Sequence, residues 1–161
     1  MGTYQDSARA RRILVIDDDP DIRSLLTLTL EQAGYEVDTA EDAKTALKRF
    51  AAGAYDLVTL DVYMPGCSGV ELQRKLSEGF GYGARVSSNR PDRLPPILVL
   101  TGHAVDDEIR QLLSGERVVG VLSKPLDLER LVETVNDLLT YEDRKRSRRM
   151  MALTRLARVQ R

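Results

Sequence analysis

The chain has 161 residues, 42% of them apolar and 30% charged, which is enough apolar material for one core of ordinary domain size and too much for a disordered chain. No apolar run approaches the ~20 residues of a membrane span, and the first residues do not read as a signal peptide. One cysteine, Cys67, and one histidine, His103, exclude an internal disulfide and a zinc site, and a reducing cytoplasm is the expected location.

The net charge of −1 conceals an uneven distribution. Ile13 to Asp143 carries 13 Lys+Arg against 24 Asp+Glu, whereas Arg144 to Arg161 carries eight basic residues and no acidic one. An acidic body with basic ends is expected, each part with its own electrostatic character.

Residues 1–11 are polar and loosely basic and are expected to be disordered. Ile13 to Ile16 is a short β-branched run that stops at Asp17-Asp18-Asp19-Pro20, as a strand buried on both faces does. Ile22, Leu25, Leu26, Leu28 and Leu30 then recur at helical spacing, with Asp19 as N-cap, Pro20 as first helical residue and Gly34 closing the helix. Tyr35 to Thr39 reads as a second strand and Asp42 to Phe50 as a second helix. Asp56 to Leu60 is the third strand, ending at Asp61, and Val70 to Leu76 a short helix. Residues 77–94 contain Gly79, Gly81 and Gly83, then Ser87, Ser88, Asn89 and Pro91, and are expected to form an extended loop. Pro96 to Leu100 is the fourth strand, Ala104 to Leu113 a helix and Val118 to Leu122 the fifth strand. Leu126 to Leu139 is the last helix, with Leu128, Leu131, Val132, Val135, Leu138 and Leu139 on one side. Five β–α units in alternation predict a parallel sheet covered on both faces.

In such a sheet, ligands sit beyond the carboxyl ends of the strands, where the strand order reverses. Strand one ends in Asp17 and Asp18, strand three in Asp61, strand four in Thr101 and strand five in Lys124-Pro125. If the first and third strands are neighbours, three carboxylates converge, at a cost that a hard dication such as Mg2+ offsets. Lys124 is a point charge suited to a phosphate, and Thr101 a hydroxyl donor. Asp61, alone at its strand end before a Pro65-Gly66 turn and Gly69, is the best candidate for a nucleophile that forms an acyl phosphate.

This set resembles the receiver domain of bacterial two-component response regulators. The match lies in Asp17-Asp18, in Asp61 followed by Met64-Pro65-Gly66, in Thr101 and in Lys124-Pro125, over residues 12–141. The resemblance implies a flavodoxin-like (βα)5 α/β fold of the chemotaxis type, with five parallel strands in the order 2-1-3-4-5. It also implies phosphorylation of Asp61 by a histidine kinase or phosphotransfer protein with Mg2+ bound. Asp17, Asp18 and Asp61 would then hold the metal with the backbone carbonyl of Tyr63, while Thr101 acts as the switch hydroxyl and Lys124 as the phosphate partner. Such a chain is a phospho-acceptor rather than an enzyme. The family also implies dimerisation through the fourth and fifth helices, and an output partner or effector domain.

Two departures stand out. Receivers usually carry Tyr or Phe three residues before the lysine, whereas this chain has Val121, which cannot make the same rotamer swing. The 77–94 connection is longer than usual and is either a partner contact or tolerated length. Tyr63 and His103, two residues after Asp61 and Thr101, border the phosphoryl site in the family. They read either as rate-tuning neighbours or as inconsequential surface side chains.

Residues 142–161 form a basic tail with Met150, Leu153, Leu156 and Ala157 on one helical face. The tail reads as a helical extension, a linker or a solvated end. No helix-turn-helix fits into its last 18 residues, so DNA reading by this chain alone is not expected. Two other functions compete with the phospho-switch. A Mg2+-dependent aspartyl-phosphate phosphohydrolase would want a second Asp where Tyr63 stands. A receiver-like scaffold independent of phosphorylation is the other.

Overall fold

The structure, a computed structural model, describes residues 10–81, 94–104, 106–115 and 117–159. Most of the N-terminal segment and of the long connection lie outside the described residues. The chain divides into two compact units, residues 1–126 and 127–161.

The first unit is built on a five-stranded parallel sheet of β1 (Arg12–Ile16), β2 (Glu36–Ala40), β3 (Leu57–Asp61), β6 (Ile97–Thr101) and β7 (Val118–Ser123). Between β3 and β6 a two-stranded antiparallel hairpin is inserted, β4 (Tyr63–Met64) and β5 (Cys67–Ser68). The sheet order is β2-β1-β3-β6-β7, which is 2-1-3-4-5 when the parallel strands alone are counted. The helices are α1 (Pro20–Gln32), α2 (Ala43–Ala52), α3 (Gly69–Gly81), α4 (Asp107–Leu113) and, in the second unit, α5 (Leu128–Val159). The α/β class and the order agree with the sequence reading.

Strand parity explains the layers. Leu14, Ile16, Val58, Leu60, Ile97 and Val99 point to one face, where they join Ala46 and Phe50 of α2, Leu72 and Leu76 of α3, and Ile109 and Leu112 of α4. Ile13, Val15, Leu57, Leu98 and Leu100 alternate to the other face and are equally buried, as are Leu26 and Leu30 of α1. Right-handed crossovers require this split, because the path from β1 to β2 and the path from β2 to β3 run in opposite directions across the sheet. β3 and β6 are buried at every position, as strands covered on both sides must be.

Local signals set the helix ends. The Asp19 carboxylate accepts from the Asp21 and Ile22 amides, Pro20 opens α1, and Gly34 beyond it holds φ +91. Asp42 caps α2 through the Thr45 amide at 2.7 Å. Two readings are corrected. α3 runs to Gly81, five residues beyond Leu76, so residues 77–81 of the expected loop are helical. The Arg74–Glu78 ion pair at 2.7 Å and the Gln73–Ser77 hydrogen bond at 3.0 Å support that extra turn despite its glycines. α4 begins at Asp107, not Ala104, because Asp106 is its N-cap.

The second unit is a single helix of 32 residues from Leu128 to Val159, so most of the basic tail is helical. Its first half carries the buried stripe Leu131, Val135 and Leu139, whereas Arg144 to Arg149 are exposed. The apolar face expected from Met150 to Ala157 falls on side chains outside those described. No helix among the described residues is long and apolar enough to cross a membrane.

Candidate functional site

β1 and β3 are paired neighbours, so their carboxyl ends bring Asp17, Asp18 and Asp61 together at the point where the strand order reverses. One carboxylate oxygen from each residue lies within 4.8 Å of those of the others. Asp17 is 1% exposed and Asp61 7%, whereas Asp18 faces solvent. Lys124 spans the cluster, its Nζ donating to Asp17 Oδ2 at 2.7 Å and to Asp61 Oδ2 at 3.0 Å. The Tyr63 amide donates to the other Asp61 oxygen at 3.3 Å.

Burial pushes the Asp61 carboxyl above its ordinary pKa; Lys124 pulls it back and Asp17 pushes it up again. Burial works against the charge on Lys124, but its hydrogen bonds to Asp17 and Asp61 outweigh that, and its pKa is raised. Three carboxylates facing one ammonium leave an uncompensated negative pocket. Its donors are oxygens with no imidazole or thiolate among them, which suits a hard dication, and the residues present therefore fit Mg2+.

The backbone holds these groups in place. Asp17 Oδ1 accepts from the Asp19 amide at 3.0 Å, and Arg23 of α1 donates to the Asp17 carbonyl at 2.7 Å. After Asp61 the chain turns through Met64-Pro65-Gly66, where Gly66 has φ +82, and returns to Gly69, whose amide donates to Val62 O at 2.8 Å. Thr101 is 1% exposed at the end of β6, its Oγ1 accepting from the His103 amide at 3.1 Å. The Lys124 amide donates to the Thr101 carbonyl at 2.7 Å and so ties the ends of β6 and β7. Val121 is half-buried, paired with Val99 and packed against the core.

Asp17, Asp18, Asp61 and Lys124 thus converge, with Thr101 on the strand beside Asp61. Cys67 stands apart on the hairpin, its thiol raised above the ordinary pKa by burial. One group escaped the sequence reading. Asp106 accepts a hydrogen bond from the Tyr63 hydroxyl, and the Tyr63 ring meets the His103 ring at 4.4 Å and 63°. The available signal was an Asp followed by Asp107 and Glu108, an N-cap before an acidic first turn.

A doubly wound sheet with an acidic trio, a lysine and a threonine at adjacent strand ends defines the receiver class of signalling domain. The chain belongs to the response regulator receiver domain family, whose model matches residues 13–136. It is 37% identical over 141 residues to the uncharacterized transcriptional regulatory protein YrkP of Bacillus subtilis, a match covering 84% of this chain and 54% of that protein. The chain therefore spans about half the length of this relative. Among solved structures it is similar to the chemotaxis protein CheY4 of Vibrio cholerae, with TM-score 0.68 and 29% identity over 80% of this chain and 98% of that one. It is also similar to the response regulator TrrA of Thermotoga maritima in complex with Mg(2+)-BeF, with TM-score 0.61, 37% identity and the same coverage.

Proposed function

We propose that this receiver accepts a phosphoryl group on Asp61 from a histidine kinase or phosphotransfer protein and passes the signal on by altered partner binding or dimerisation. The observation that carries the reading is the Lys124 ammonium bonded to both Asp17 and Asp61 inside the acidic trio. In the transfer, a P–O bond forms to an Asp61 oxygen as the P–N bond to the donor histidine breaks. Asp17, Asp18, Asp61 and the Tyr63 carbonyl would hold Mg2+, which when bound neutralises charge on the carboxylates and on the phosphoryl oxygens. Lys124 holds the Asp61 carboxylate in place and then pairs with the phosphoryl group, and the Thr101 hydroxyl donates to a phosphoryl oxygen. Tyr63 and His103 border the group and govern the approach of water. The cytoplasm is the compartment that suits this chemistry, and an effector region or separate protein would read the output.

The test is the intact mass after incubation with acetyl phosphate, with and without Mg2+, for the parent chain and Asp61→Asn. A Mg2+-dependent gain of one phosphoryl group that the variant lacks is expected. No gain under any condition overturns the reading and favours a scaffold that keeps the fold.

A further inference from the structure

Val121, within β7, removes the aromatic side chain through which a receiver would link Thr101 to its outer surface, yet another aromatic contact lies beside Thr101, between the segments that follow β3 and β6. Tyr63, two residues beyond Asp61, reaches across the end of β6. Its ring lies against His103 at 4.4 Å, and its hydroxyl donates to Asp106. The second carboxylate oxygen of Asp106 accepts from the Ile109 amide at 2.9 Å, so the residue that holds Tyr63 also caps α4. The His103 amide in turn donates to Thr101 Oγ1 at 3.1 Å. The chain of contacts runs from Thr101 through His103 and Tyr63 to the N-terminus of α4.

We infer that Asp106 is a positioning residue for the Asp61 site: by holding Tyr63 against His103 it ties the loop after β3 to the start of α4, so that a phosphoryl group on Asp61 and the placement of α4 are energetically coupled. The inference rests on the phospho-acceptor reading of Asp61. The physical reason is continuity. Drawing the Thr101 hydroxyl toward a phosphoryl oxygen draws the His103 amide bonded to it, and the His103 ring leaves Tyr63. That loosens the hydroxyl's hold on Asp106. By linkage, a chain already lacking the Tyr63–Asp106 bond takes the phosphorylated arrangement more readily.

His103 is the sole histidine of the sequence and so gives one pair of ring-carbon NMR signals, shifted by the Tyr63 ring beside it. The first measurement uses the unphosphorylated full chain. Tyr63→Phe removes the hydroxyl, and Asp106→Ser removes the oxygen that reaches Tyr63 but keeps a good N-cap for α4. Both are expected to move the His103 signals toward their position in Tyr63→Leu, which has no ring there, with thermal melting lowered by only about 1–5 °C, as the loss of one hydrogen bond requires in a chain of this size. His103 signals that stay at the parent position in Asp106→Ser overturn the positioning role.

The second measurement is the beryllofluoride concentration at half-occupancy in the presence of Mg2+, read from the amide signals of Asp61 and Thr101. Each single variant is expected to lower it by the same factor, about two- to tenfold, the range that one hydrogen bond corresponds to. The double variant should go no further. Equal affinities, or factors that multiply in the double variant, overturn the coupling. If the parent chain shows no response to beryllofluoride, the phospho-acceptor reading fails and the coupling with it, while the His103 signals still decide whether Asp106 positions Tyr63.

Discussion

Single side chains carry two distinct kinds of electrostatics in this molecule. At the site, burial and like charge raise the proton affinity of Asp61 against the pull of Lys124, and a bound dication would relieve that conflict. At the opposite end of the sheet the ionic groups are satisfied. Arg12 lies 5.3 Å over the Tyr55 ring, the Asp38 carboxylate accepts from Arg12 at 2.5 Å and from the Tyr55 hydroxyl at 2.9 Å, and Arg11 pairs with Asp56 at 3.2 Å.

Burial, and then the Asp38 hydrogen bond, push Tyr55 up to about 12. An unfolded tyrosine loses its proton near pH ~10, so the folded chain holds this proton longer. The corresponding stability is complete below pH ~10 and is lost as the pH rises toward about 12. Urea unfolding between pH 9 and 11.5 is expected to show a falling midpoint in the parent and a shallower fall in Tyr55→Phe. Parallel slopes would refute it.

Among the elements, the short β4–β5 hairpin matters most for the site, because it returns the chain from Asp61 to α3 within eight residues. Its return is tight. A Cβ on Gly69 would stand 3.0 Å from Val62 Cα and 3.4 Å from Val62 O, and both are backbone atoms that cannot step aside without moving Asp61. Gly69→Ala is therefore expected to cost about 1–3 kcal/mol, the usual range for overpacking, and to slow phosphorylation by acetyl phosphate. An unchanged urea midpoint would refute the close approach.

Gly69 and the Pro65-Gly66 turn were legible in the sequence, because glycine and proline report backbone needs locally. The facing of α1 was not. Ile22, Leu25, Leu26, Leu28 and Leu30 all fit a helical pattern, yet Leu26 and Leu30 are buried while Leu25 and Leu28 are 40% and 56% exposed. Five apolar residues in nine positions surround more than one face of a helix, and only packing selects the inner one. The end of α3 escaped for the converse reason. Glycines at 79 and 81 read as a stop, while the i,i+4 pair Arg74–Glu78 and the packing of Leu72 and Leu76 carried the helix on.

For the molecule as a whole, the acidic pocket is a place where binding and stability are the same quantity. A ligand that binds only the folded chain stabilises it by about 2.7 kcal/mol at ~100 times its dissociation constant. For a chain of this size that corresponds to a rise in Tm of about 5–10 °C. Mg2+ is expected to raise the melting temperature of the parent on that scale, and Asp17→Asn or Asp61→Asn to abolish most of the rise. A melt indifferent to Mg2+ in the parent would count against the pocket as a cation site.

The alternation of buried strands and amphipathic helices, the order of the elements and the placing of Asp17, Asp18, Asp61, Thr101 and Lys124 at strand ends were determined by the sequence alone. Each depends on local periodicity, on caps and on where apolar runs stop. The pairing of Lys124 with Asp17 across 107 residues, and of Tyr63 with Asp106 across 43, was decided only by the tertiary structure. No local pattern encodes which strand ends become neighbours. The distance between two side chains far apart in the chain is set by strand order, register and the packing of the helices between them.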